Sequence, residues 1–179
     1  MRILRIISLL ILSFSIAYGA FAKESGSSTG RSIPRFIILK SNETNLRKGP
    51  NVRFPIVQTY KRKGYPMEVI AEFENWRKLR DRDGMEGWVH ENLITGTRNA
   101  VISDNKYKST SLTYKINDKE LILFRYPDET SYPISRVEFG SIGKLKKCQK
   151  EWCKIKFNEV TAWALKSNLW GVYSDEIID

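Results

Sequence analysis

The chain has 179 residues, 41% hydrophobic and 28% charged, enough for one medium core or two small ones but not for a large multidomain enzyme. Five Trp, eight Tyr and eight Phe exclude a disordered polyelectrolyte, and six Pro with eleven Gly exclude a collagen-like or low-complexity chain. A single His and two Cys exclude a His-rich metal centre and a Cys-dense zinc or disulfide framework, while the formal charge of +10 points to anionic partners.

The first residues read as an export signal. Arg2 and Arg5 form a positive n-region, Ile6 to Ile16 an uncharged apolar stretch, and Ala20-Phe21-Ala22 places small residues where a signal peptidase inspects the chain. Cleavage is expected after Ala22, giving a signal peptide over residues 1–22. The alternative is an uncleaved anchor, because Ile6 to Ala22 supplies 17 uncharged residues, at the lower limit for crossing a bilayer of roughly 30 Å. Either way the chain is expected to be exported to the periplasm or cell envelope, with no membrane insertion after signal cleavage. Removing Arg2 and Arg5 lowers the formal charge from +10 to +8, so the mature chain stays basic. The anions available to it are phospholipid surfaces and the carboxylates and phosphates of an envelope. Nucleic acid is not expected, since Lys61-Arg62-Lys63 and Lys144 with Lys146-Lys147 are short separate clusters outside any nucleic-acid-binding motif.

Residues 23–35 open with KESGSSTGRS, which is polar and rich in Gly and Ser and is expected to be a flexible leader. Beyond it, short apolar stretches alternate with turn signals: Phe36 to Leu39, Ile56 to Tyr60, Met67 to Phe73, Trp76 to Arg80 and Gly87 to His90. Asp83-Gly84 is a hairpin turn, because both residues tolerate positive φ, and Glu74-Asn75 closes the turn before it. Three consecutive strands are thus predicted to form a meander, followed by one short helical turn at Glu91-Asn92-Leu93.

Sliding the chain against itself exposes a repeat. Leu46-Arg47 aligns with Phe124-Arg125, Pro55-Ile56 with Pro133-Ile134, Trp76 with Trp152, Leu79 with Ile155, Gly87-Trp88-Val89 with Ala162-Trp163-Ala164, and Asn92-Leu93 with Asn168-Leu169. The offset stays between 75 and 78, a period that indicates duplicated domains rather than a solenoid. The fold class is all-β, as two small barrels in tandem. The first unit is placed at 36–97, a polar junction at 98–119, the second unit at 120–173 and a tail at 174–179. Ala100-Val101-Ile102 is a candidate last strand of the first unit.

NLRKGPNVRFPIV (Asn45 to Val57) followed by VIAEFENWRKLRDRDGMEGWVHENL (Val69 to Leu93) resembles the bacterial Src-homology-3-like domain, with its N-x-R-x-G-P-like opening, its Trp-led strand and its G-W-V strand. The second unit, with CQKEWCKI, TAWA and NLWGVY, looks like the partner half of a tandem exported family of this fold. The resemblance spans Phe36 to Tyr173 and implies five-stranded SH3-like barrels in a cell-envelope setting. The second unit departs at its opening, where Tyr126-Pro127-Asp128 stands in place of Lys48-Gly49-Pro50, so the two units are not expected to bind the same ligand.

In the same alignment Cys148 and Cys153 correspond to Glu72 and Arg77, positions that flank a hairpin turn. The first unit is expected to hold this place with a charge pair and the second with a disulfide, which an oxidising compartment permits. The C-x4-C spacing is not the redox C-x-x-C, and no His adjoins it.

Several apparent motifs carry no chemistry. Gly26-Ser27-Ser28-Thr29-Gly30 spells a nucleophile elbow without the strand, helix, acid and His that such a Ser needs. Asp81-Arg82-Asp83-Gly84 begins like a calcium loop but lacks the later ligands. His90 beside Glu91 has no nucleophile that the sequence identifies, so a structural or solvent-facing His is expected. Asn42-Glu43-Thr44 is a glycosylation sequon, relevant only in a host that glycosylates exported chains. No catalytic set, metal site or cofactor is expected, and the chain is read as no enzyme.

Trp76, Trp88, Trp152 and Trp163 are expected in the core or half-buried. The resemblance implies a ligand groove between the loop after the first strand and the loop joining the middle strands. There the first unit offers Arg47, Lys48 and Arg53 to pair with carboxylates or phosphates, and Phe54, Tyr65 and Trp76 to stack on sugar or peptide faces. The second unit offers Tyr126, Asp128, Glu129 and Tyr132, a more acidic set suited to a spacer or protein dock. The expected function is a non-catalytic module recognising cell-wall peptide or peptidoglycan through the first barrel. The alternative is an adaptor for an envelope protein.

Overall fold

The computed structural model describes residues 24–103 and 120–179. The signal segment and most of the expected junction lie outside the described residues. The strands are β1 (Glu24–Ser25), β2 (Ser32–Ile33), β3 (Arg35–Leu39), β4 (Thr44–Arg47), β5 (Ile56–Tyr60), β6 (Pro66–Phe73), β7 (Trp76–Arg80), β8 (Glu86–His90), β9 (Ile94–Thr95), β10 (Asn99–Ile102), β11 (Glu120–Phe124), β12 (Pro133–Glu138), β13 (Ile142–Gln149), β14 (Trp152–Phe157), β15 (Val160–Leu165) and β16 (Leu169–Trp170). Short 3-10 turns at Glu91–Leu93 and Lys166–Asn168 precede β9 and β16.

Two antiparallel sheets of seven strands carry the fold, in the orders β5-β4-β8-β7-β6-β3-β9 and β12-β11-β15-β14-β13-β10-β16. The five stretches expected as strands in the first unit are β3, β5, β6, β7 and β8; β4, which pairs with β5 in a hairpin, and the short β9 complete its seven, and the second sheet repeats the arrangement with the β11–β12 hairpin. The two sheets repeat each other down to their irregularities. β6 and β7 pair Val69 with Leu79 and Ala71 with Lys78, bulging at Ile70; β13 and β14 pair Leu145 with Ile155 and Lys147 with Lys154, bulging at Lys146. The turns closing these hairpins place Glu74 and Lys150 in the left-handed region, at φ 47° and 46°. At the next turn Gly84 has φ 86°, and the Asp81 carboxylate caps it by accepting the Asp83 and Met85 N–H groups.

The first core gathers Ile37, Leu39, Leu46, Met67, Val69, Leu79 and Val89; the second gathers Leu121, Leu123, Leu145, Ile155, Ala162 and Leu169. The inward residues alternate along each strand as a half-buried sheet requires. β8 passes so close to β4 that a Cβ on Gly87 would lie 2.7 Å from the Leu46 Cβ, so this position has room only for Gly.

Cys148 and Cys153 face each other in register on β13 and β14 and are joined by a disulfide, with neither residue exposed. The matching pair in the first barrel is Glu72 and Arg77, an ion pair at 3.6 Å.

Three segments differ from the expectations above. The leader is not flexible throughout: β1 and β2 form a hairpin whose Gly26–Gly30 turn wraps the buried Glu72 carboxylate, because Ser28 and Thr29 donate their backbone N–H groups and Thr29 its hydroxyl to it. The strand Asn99–Ile102 does not close the first barrel. It pairs with β13 and β16 as β3 pairs with β6 and β9, and is therefore the first strand of the second sheet. The tail is docked as well: Ile178 bridges the Cys148 backbone, and the Lys166 ammonium donates to the carbonyls of Ser174 and Glu176.

The two barrels share a packed contact. Phe36, on the outward side of β3, meets Trp170 edge-on at 5.0 Å and Tyr173 at 4.7 Å, with the Arg98 guanidinium 5.8 Å from its ring centre. Trp170 Nε1 donates to the Pro66 carbonyl, Tyr173 Oη to Glu68 and Asn99 Nδ2 to the Gly64 carbonyl. Val101 of the second sheet packs in the core of the first.

Candidate functional site

The outward face of the first barrel is built by the sheet's alternation. With Leu79 and Val89 turned into the core, their neighbours Trp76, Lys78, Trp88 and His90 turn out. Cross-strand register then sets two rows. Arg47 lies opposite Trp88, Trp88 opposite Lys78, and Lys78 opposite Ala71; His90 lies opposite Trp76, and Trp76 opposite Phe73. Neighbouring strands stand about 4.8 Å apart, so the Arg47–Trp88–Lys78 row spans about 10 Å. Trp76 and His90 meet edge-on at 5.4 Å, His90 Nδ1 accepts the Asn92 N–H, and Phe73 remains half exposed. Lys78 pairs with Glu86 at 2.5 Å.

The β4–β5 hairpin borders this face and presents an ordered tip. Arg47 Nη1 donates to the Phe54 carbonyl at 2.8 Å, Lys48 N–H to the Pro55 carbonyl, and Arg53 N–H to Asn51 Oδ1. The Phe54 ring lies over Gly49, where an added Cβ would be only 2.6 Å from it. Lys48, Arg53 and Phe54 therefore stand on a preformed turn, with Val52, Phe54, Ile56 and Val57 all more than 40% exposed. Arg47 links the hairpin to the tryptophan face.

Of the six sequence-derived binding residues, Arg47, Lys48, Arg53 and Phe54 share this hairpin, and Trp76 shares the sheet face with Arg47. Tyr65 does not join them. It is buried in the first core, stacked 5.8 Å from Tyr60, whose hydroxyl donates to Asp81. Burial raises both phenols; at Tyr60 the hydrogen bond to Asp81 adds to the rise, and at Tyr65 burial outweighs the opposing charge of Arg82. Trp88 and Lys78 also belong to the face, beyond the six residues that the sequence offers for binding. The alternation of RKL and GWV carried that signal, once Leu79 and Val89 are taken as the inward residues. Trp76, Trp88 and Trp152 are half-buried and Trp163 is buried.

The second barrel differs at the matching positions. The register shifts the sequence alignment here by one residue: Phe124, not Arg125, stands where Arg47 stands, opposite Trp163 as Arg47 is opposite Trp88, and edge-on to Trp152 at 5.7 Å. Its β11–β12 hairpin carries an open cleft of about 660 Å³ lined by Ile122, Phe124, Glu129, Tyr132, Ile134 and Arg136 among others. Asp128 caps the loop by accepting the Thr130 N–H, which holds its carboxyl below the ordinary range. Among the described residues no cluster of His, Cys, Asp and Glu is placed to hold a metal ion.

No curated protein is significantly similar to this chain. Among solved structures, NlpC1 from Trichomonas vaginalis is similar over 80% of this chain and 48% of its own, at 11% identity and a TM-score of 0.33. NlpC2 from the same organism is similar over 76% of this chain and 48% of its own, at 11% identity and a TM-score of 0.32. The chain thus spans about half the length of these solved chains. The family model described as the bacterial SH3 domain matches residues 40–96 and 117–171, one match on each barrel, and the chain belongs to the bacterial SH3 domain family.

Proposed function

We propose that this chain is an exported, non-catalytic envelope-binding module whose first barrel recognises cell-wall peptide. The family supports a cell-wall-associated binding role, and the buried disulfide fits an oxidising envelope compartment. The observation that carries the reading is the juxtaposition of Trp76 and Trp88 with Arg47 and the cationic hairpin tip. Indole faces cover sugar rings and peptide backbones, while Arg47, with one of its five N–H groups held by Phe54, has others to offer a stem-peptide carboxylate. The cleft on the second barrel favours the alternative reading, a dock for an envelope protein.

Co-sedimentation with protein-free cell-wall sacculi tests the first reading. The processed chain should pellet at physiological salt, and Arg47→Ala and Trp76→Ala should each weaken pelleting about tenfold while keeping the fold. Attraction by charge alone is screened over about 8 Å at that salt. Pelleting that vanishes at physiological salt, or that both variants retain in full, rejects the site.

A further inference from the structure

The outward face of the second barrel bears lysines that the sequence scatters over two strands. Lys144 lies directly opposite Lys156, and Lys147 directly opposite Lys154, with Lys146 at the bulge beside them; all five are exposed. Leu145, Cys148, Cys153 and Ile155 point into the core beneath. Like charges directly opposite one another across strands are destabilising. Among the described residues none of the five forms an ion pair.

The first barrel shows what neutral design of the same positions looks like. There Glu68 faces Arg80 and is bonded to it at 2.7 Å, and Ala71 faces Lys78, which pairs with Glu86. The second barrel replaces the Glu–Arg pair with Lys144–Lys156 and the Ala–Lys pair with Lys147–Lys154. It retains repulsion that its sister barrel removes, and the disulfide clamps the hairpin at the adjacent register position.

We propose that this lysine face docks onto an anionic phospholipid bilayer. Three features select that occupant. The five side chains are all cations, the cleft of the second barrel includes none of them, so the face suits an extended surface rather than a single small anion, and the residues are lysines. A lysine is a mobile point charge that follows a fluid field of headgroups, whereas fixed bidentate recognition would call for Arg. Each Lys near an anionic membrane surface contributes about 1 kcal/mol, close to a fivefold change in affinity. The inference goes beyond the wall-binding reading and does not depend on it.

Vesicle co-sedimentation tests it, using the full chain as purified from the cells that make it and vesicles of phosphatidylglycerol with phosphatidylcholine, against phosphatidylcholine alone. Binding should require the anionic lipid and fall steeply with salt. Lys147→Gln with Lys154→Gln should weaken it on the order of twentyfold without lowering thermal stability, because the change removes a repulsion. Lys40→Gln and Trp76→Ala, on the first barrel, should leave it unchanged. Every variant has the same N-terminal segment, processed or not, so binding driven by that segment would persist in the double lysine variant and overturn the proposal. Equal binding to neutral vesicles overturns it too. So does displacement from the vesicles by inorganic polyphosphate at equal phosphate concentration, which would assign the face to a soluble polyanion.

Discussion

At Glu72 one buried side chain organises the start of the structure. Its carboxylate accepts hydrogen bonds from the Ser28 and Thr29 backbones and the Thr29 hydroxyl, and bonds Arg35 at 2.6 Å, while Arg77 extends from it to Glu91. Burial by itself raises this carboxyl, but the hydrogen bonds from Thr29, Arg35 and Ser28 together outweigh it and bring the pKa from 4.5 down to about 2. The folded value lies below the unfolded one, so the stabilisation is complete above about 4.5 and is lost as pH falls toward 2; at neutral pH it is on the order of 3 kcal/mol. Urea unfolding should therefore find the wild type more stable than Glu72→Gln at pH 7, with the gap narrowing below about pH 4.5 and closing only below about pH 2. Amide exchange at Ser28 and Thr29 should accelerate over the same interval. The sequence did place Glu72 opposite Arg77. It hid the hairpin because GSSTG has no apolar content, and its order comes from polar atoms turned toward a carboxylate more than forty residues away.

The β13–β14 hairpin shows how an element's register decides both stability and surface. A disulfide across a loop of about six residues contributes about 2 kcal/mol in the chain-entropy model. Here it also opposes the repulsion between facing lysines. Cys148→Ser with Cys153→Ser should cost about 2 kcal/mol in urea unfolding at physiological salt and more at low salt, where lysine repulsion is unscreened; an equal cost at both would separate the two effects. The cysteine pairing was readable from the repeat, since Glu72 and Arg77 occupy the same places. The lysine face was not. Strict alternation outward from Leu145 would turn Lys147 inward and Cys148 outward, and only the bulge at Lys146 restores Cys148 to the core and Lys147 to the surface.

On the scale of the whole molecule, Phe36 joins two barrels that a repeat alone would leave as beads. Its contacts with Trp170, Tyr173 and Arg98, and the entry of Val101 into the first core, bind the two units into one packed body. Tyr173 donates to a Glu68 carboxylate that also accepts from Arg80, and burial, then that hydrogen bond, raises the phenol. The intact chain should unfold in one calorimetric transition. Phe36→Ala, at an expected cost of about 3 kcal/mol, should split it into two; a single transition in both proteins would show that coupling runs through other contacts. The second sheet begins before the polar junction, at β10, because the extra residues of the second unit lie between its first and second strands. A sliding comparison at constant offset finds the matched meanders and passes over β10.

By itself the sequence determined the all-β class, the duplication, the paired cysteines and the meander turns, because each is written in local signals: alternation, Asp-Gly chemistry and residues at a fixed offset. Only the tertiary structure decided which sheet β10 joins, that the leader and tail are docked, that Tyr65 is buried while Trp88 faces out, and that five lysines share one surface. Those outcomes depend on cross-strand register and bulges, and a one-residue change in register exchanges the core face of a strand for its solvent face.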